Sequence, residues 1–148
     1  MKYTRSYLRR LAAARAKDWG RDWNADAYYI GLVGEAAFAE AFDCEIDTEI
    51  KDGDDGIDFE LGGYTIDVKT YINAHNLPLE TDRQCKSNIL VLARYLEKED
   101  LAVLIGWEYA YVMRKCPRRR FCWDGPINHY KAAGQLRPLD ELKLVLGE

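Results

Sequence analysis

Asp58, Asp67 and Lys69 stand in the stretch DGDDGIDFELGGYTIDVKTY. Their types and spacing are suited to chemistry on a phosphate. Residues two apart on a strand share a face, so Asp67 and Lys69 point the same way and Val68 points into the opposite layer. A chain reversal at Gly62-Gly63 makes a hairpin that sets Asp58 opposite Asp67. Two carboxylates and one ammonium are thereby gathered. The carboxylates repel one another, and each is favoured by a nearby cation. A divalent ion resolves the conflict. Hard oxygen donors of this kind suit Mg²⁺ or Mn²⁺, which keep several waters and accept phosphate oxygens. Such an ion can polarise a phosphate and acidify a bound water. Lys69 is then placed to orient that water, help deprotonate it, or steady the developing charge. Glu35 is the candidate third carboxylate. Asp55 is the next candidate should the register of the first strand shift.

These residues need a frame. Residues 3–18 read as a helix, with Tyr3, Tyr7, Leu8, Leu11 and Ala14 as an apolar stripe and a basic opposite face. Residues 27–43 read as a second helix, which Asp26 could cap. Its stripe of Ile30, Val33, Gly34, Ala37, Phe38, Ala41 and Phe42 is rich in small residues, so it can approach a sheet closely, and Glu35 sits at the stripe's edge. CEIDTEI reads as a short strand, KDGDDG as a turn, and IDFEL and YTIDVKTYI as the hairpin strands. Residues 72–87 read as irregular. SNILVLARYL and LAVLIGWEY read as two strands joined through EKED, AYVMRKC as a short helix, RRRFCWDG as a strand or loop, and DELKLVL as a last helix with Pro138 in its first turn. The expected class is α/β with α+β character: one domain over 1–148, a central mixed sheet flanked by helices.

The order of these motifs resembles the PD-(D/E)xK, restriction-endonuclease-like nuclease superfamily. GLVGEAAFAEAF resembles its Glu-bearing helix, GIDF its Asp strand and TIDVKTY its Asp-x-Lys strand. The resemblance covers residues 27–71 by motif and the rest by element order. It implies a restriction-endonuclease-like fold and Mg²⁺-dependent (or Mn²⁺-dependent) hydrolysis of DNA phosphodiester bonds, leaving a 5′-phosphate. It further implies Asp58, Asp67, the Val68 carbonyl and Glu35 as metal ligands, with Lys69 serving the water. Ile57 precedes Asp58 where many members carry proline, position 67 is Asp rather than the commoner Glu, and no Gln-xxx-Tyr element follows. The small size suits a phage-encoded or mobile-element enzyme, and two copies acting as a homodimer would cut two strands.

Composition bounds these expectations. The 148 residues are 48% hydrophobic, enough for a packed core, and the net charge of −4 argues against a polycationic binder. A local basic face is still available. Arg114, Lys115, Arg118, Arg119 and Arg120 adjoin Phe121 and Trp123, a mixture that can track a phosphate backbone and stack bases. Tyr71 shares the strand face of Asp67 and Lys69. The four cysteines, Cys44, Cys85, Cys116 and Cys122, form no CxxC pair, so free thiols in a cytoplasmic protein are expected rather than a zinc site. Asp52 and Asp54 fit turn chemistry, and a calcium loop of EF-hand type is incomplete. His75 and His129 are the only histidines. His75 is placed to approach a substrate. DNA is the expected partner, with RNA left open, and no membrane is expected. Two alternatives compete: a catalytically inactive nucleic-acid-binding accessory or inhibitory protein on the same fold, and a protein–protein interaction domain with an acidic surface.

Overall fold

A computed structural model describes residues 2–50, 57–80, 86–120, 123–125 and 127–147. The fold is mixed α/β. Its main sheet has the order β1 (Phe59–Leu61), β2 (Tyr64–Tyr71), β4 (Ile89–Leu96), β5 (Leu101–Tyr109). The pairs β1–β2 and β4–β5 are antiparallel and β2–β4 is parallel, so the sheet is mixed as expected.

Helices cover one face. α1 (Arg5–Asp18) begins at Thr4, whose hydroxyl accepts the Tyr7 amide hydrogen at 3.1 Å. α2 (Ala25–Ala41) packs on both α1 and the sheet, and α4 (Leu139–Leu146) follows Pro138. Leu8, Leu11, Leu32, Phe38, Phe42, Ile66, Val68, Ile89, Val91, Trp107 and Leu142 make the core between them. Asp26 lies in the first turn of α2 rather than at its cap; Asn24 holds the cap position without a side-chain bond. An acid there still complements the helix dipole. None of the helices of the described residues is long and apolar enough to cross a membrane.

The opposite face is covered differently from a simple helix layer. A second, antiparallel sheet runs β3 (Asn76–Glu80), β7 (Asn128–Ala132), β6 (Arg118–Arg119). Together with α3 (Ala110–Met113) it encloses Leu77, Leu79, Leu90, Leu92 and Met113. Residues 76–80, expected to be irregular, are thus a strand. Leu77 and Leu79 are its buried faces, and Pro78 is tolerated because β3 is at the edge of its sheet. Consequently the parallel connection from β2 to β4 carries a strand of another sheet, where a helix is usual. β6 and β7 give the small sheet its remaining strands, and β7 had no counterpart in the pattern of the sequence.

CEIDTEI is a further correction, since residues 44–50 form no strand. Several of the segment's backbone polar groups are met by side chains instead of a neighbouring strand. Lys2 Nζ donates to the Cys44 carbonyl at 2.6 Å, the Tyr3 hydroxyl accepts the Ile46 amide hydrogen at 3.1 Å, and the Arg15 guanidinium donates to the carbonyls of Asp47 and Glu49.

Candidate active site

The hairpin of β1 and β2 forms because Gly62 and Gly63 both adopt positive φ, 57° and 82°, as a two-residue turn of this hand requires. Gly62 is doubly constrained: a Cβ there would meet the Leu146 carbonyl oxygen of α4 at 2.6 Å. The turn sets Phe59 opposite Ile66 and Leu61 opposite Tyr64, and the same register carried one step outward puts Asp58 opposite Asp67. The Asp58 amide donates to the Ile66 carbonyl at 2.8 Å, which anchors Asp58 to β2 just before β1 begins.

The side chains then meet. Asp58 Oδ2 accepts the Val68 amide hydrogen at 2.8 Å, and the Asp67 carboxylate stands close enough to bear on the Asp58 charge. Lys69 Nζ lies 3.0 Å from Asp67 Oδ2. Burial, then the charges of Glu35 and Asp67, push the Asp58 carboxyl well above the usual carboxylate range, and the Val68 amide only partly opposes them. Val68 itself points into the helix-side core, as alternation along the strand requires.

Glu35 arrives from α2. The helix lies so close to β2 at this level that a Cβ on Gly34 would sit 1.7 Å from Thr70 Oγ1. Glu35 and Asp58 line one cleft with Arg15, Trp19, Ile57, Asp47 and Glu49. Asp47 and Glu49 were not anticipated as part of the site. They reach it because Arg15 holds residues 47–49 by their carbonyls, and the signal available in the sequence was the alternation of acids in EIDTE. Among the described residues, no group of three or more His, Cys, Asp or Glu side chains is already spaced to hold a metal ion.

The remaining candidates are dispersed. Tyr71 follows Lys69 on β2 and is exposed, and His75 is an exposed loop residue beyond it. His129 bonds through Nδ1 to the Cys116 carbonyl at 2.7 Å. Asp52, Asp54, Asp55, Cys85, Phe121 and Cys122 lie outside the described residues. The basic face of α1 is largely committed to the fold. Arg5 and Arg9 face Asp100 at 3.5 and 3.7 Å, and the Arg9 guanidinium lies 3.9 Å over the Tyr29 ring. Arg118 and Arg119 are exposed on the short strand β6, and Arg120 donates to the Trp123 carbonyl at 3.1 Å.

A second ionic group was missed altogether. Glu108 is fully buried on β5, where Leu90 pairs with it as Asp67 pairs with Leu90. All three therefore point to the same side of the sheet. Lys131 of β7 and Arg137 both donate to Glu108, and Arg137 also reaches Glu141 at 3.1 Å. Burial alone would raise the Glu108 carboxyl, but the hydrogen bonds from Lys131 and Arg137 bring it below its usual range.

No protein-family model, curated protein or solved structure matches this chain.

Proposed function

We propose that the chain is a metal-dependent nuclease that hydrolyses DNA phosphodiester bonds with a PD-(D/E)xK arrangement on a restriction-endonuclease-like fold. The observation that carries this reading is the meeting of Asp58, Asp67 and Lys69 on one hairpin, with Glu35 brought to the Asp58 cleft by α2. Asp58 and Asp67 are the groups that would hold Mg²⁺ or Mn²⁺, with Glu35 and the Val68 carbonyl as the further ligands the pattern assigns. Mg²⁺ takes one or two carboxylates and keeps waters, so a two-acid hairpin suits its chemistry. When bound, the ion supplies Lewis-acid polarisation of the phosphate and a more acidic water.

The protein's own groups do the rest. The Val68 amide fixes Asp58 Oδ2, and Asp58 lines the cleft with Glu35. Lys69 is held by Asp67, one of the acids that would hold the ion, so it could orient an attacking water or balance charge on the phosphate. A homodimer would present two such sites to two strands.

The test is incubation of labelled duplex, single-stranded and branched DNA with Mg²⁺ or Mn²⁺, alongside Lys69→Ala. Cleavage should fall by about 10²-fold or more in the variant, with its circular dichroism unchanged. Equal cleavage by the two proteins would remove the catalytic claim. The alternative is an inactive, nucleic-acid-binding protein on the same fold. That alternative predicts DNA binding with no response to Mn²⁺.

A further inference from the structure

Away from the carboxylates, at the turn end of the same hairpin, lies an open groove of about 580 Å³. Its walls carry Tyr64, Tyr109 and Tyr111 together with Lys86, Asn88 and Arg114. The volume is that of a site for an organic ligand and far exceeds the needs of an ion. Tyr64 is three residues from Asp67 on β2, roughly 10 Å along the strand.

The rings form a graded platform. Tyr109 sits edge-on against Trp107 at 4.8 Å and has the Arg137 guanidinium 5.3 Å from its centroid. Tyr111 stacks on Tyr109 at 5.3 Å with an interplanar angle of 28°, and Tyr64 lies 6.5 Å from Tyr109. Tyr111 is 56% exposed, with the Lys115 ammonium 5.9 Å from its centroid, so the outer end of the stack faces solvent beside a further cation while the inner end is fixed against the core. Asn88 steadies the wall: its Oδ1 accepts both the Thr65 amide and the Thr65 hydroxyl hydrogens at 3.0 Å. A pre-stacked aromatic ring beside lysine and arginine offers what an unpaired nucleotide needs, a flat surface for the base and cations for the phosphate. Bases inside a duplex have their faces covered by neighbours and cannot use such a surface.

We infer that this groove binds a single-stranded segment of DNA, with a base stacked on Tyr111 and the backbone phosphates met by Lys86 and Arg114. The inference rests on the nuclease reading only in taking DNA as the ligand, and it gives the substrate an unpaired portion beside the site of cleavage.

The experiment is fluorescence anisotropy with a short fluorescein-labelled oligothymidylate, in EDTA, so that no hydrolysis is required. Tyr111→Ala should weaken binding about tenfold, as loss of one base–aromatic stack does. Tyr111→Phe, which keeps the ring, should bind like the parent. Lys86→Ala should flatten the dependence of log affinity on log salt by about 0.7, the value for one single-strand phosphate contact. Blunt duplex of the same length should compete poorly. Unchanged binding by a folded Tyr111→Ala, or equal competition by duplex, would overturn the proposal. Strand binding that follows this pattern without any metal-dependent cleavage would sustain the groove and sink the nuclease reading; cleavage with no effect of Tyr111→Ala would do the reverse.

Discussion

The Val68 amide of β2 donates to Asp58 Oδ2 at 2.8 Å, so the acid just before one hairpin strand is positioned by the backbone of the other. A side chain held this way is set by the register of the strands and needs no further support from its own rotamer. The same contact keeps Asp58 in the fold beside Asp67 and Glu35, so burial first, and then those two charges, push its carboxyl up. The site therefore disfavours the Asp58 charge, a conflict that a bound cation would relieve.

Asp58→Asn tests that conflict. The folded-state pKa of Asp58 is raised, so folding is undisturbed by this group at low pH, where both states carry the proton. As pH rises through the ordinary carboxylate range the unfolded chain ionises first, and stability falls until the folded group ionises as well. Asparagine keeps an acceptor for the Val68 amide and never ionises. In EDTA, the variant should match the parent near pH 3 and melt at a higher temperature near pH 7. Melting curves that stay parallel across this range would show that the fold does not disfavour the Asp58 charge.

Much of the hairpin was legible in the sequence for a physical reason. A two-residue Gly-Gly turn leaves one register open to the strands, and alternation then assigns Asp67 and Lys69 to one face and Val68 to the other. The small-residue stripe of α2 was legible too, and Gly34 against Thr70 shows why small residues are there. What was not legible depends on partners far along the chain. β3 and β7 are short and distant in sequence, and β3 is interrupted by Pro78, so neither carries a signal alone. Glu108 sits in an apolar run, and its burial makes sense only with Lys131 and Arg137 beside it. The tyrosine groove likewise draws its rings and cations from separate elements.

Gly34→Ala tests the closeness of α2 to the site. The new Cβ would fall 1.7 Å from Thr70 Oγ1 and 2.8 Å from Thr70 Cβ. The helix or the strand must shift, at a cost of about 1–3 kcal/mol. Glu35 is the next residue and would move with the helix, so cleavage should fall as well. Adding Thr70→Ala removes the nearest atom, and the double variant should lose less stability in urea than the two single losses combined. Strict additivity would mean that the two residues do not press on each other.

Metal removal gives a readout that does not depend on turnover. An ion that binds only the folded chain raises its stability by about 2.7 kcal/mol at a hundredfold excess over its dissociation constant. Urea unfolding with Mn²⁺ should therefore exceed that in EDTA for the parent chain, and Lys69→Ala should keep most of the gain. Asp58→Asn and Asp67→Asn should lose it. An equal gain in all four proteins would place the ion elsewhere.

Glu108→Gln tests whether the buried ionic group holds the two sheets together. Glu108 is fully enclosed and receives hydrogen bonds from Lys131 on one sheet and from Arg137 beyond the other. Removing its charge leaves those cations with an imperfect partner, and breaking a buried pair of this kind costs about 3 kcal/mol. The pH dependence has a definite sign. The folded pKa is depressed, so the stabilisation is present above the ordinary carboxylate range and is lost as pH falls through the folded value. The parent should thus lose stability toward acid more steeply than Glu108→Gln, and the two urea midpoints should converge at low pH. Because Asp67 and Lys69 lie on the same side of the sheet, loosening of the β3–β7 layer should also raise the exposure of Lys69 to amine-labelling reagents. A variant with parental stability at neutral pH would show that Lys131 and Arg137 find other partners and that Glu108 does not tie the layers.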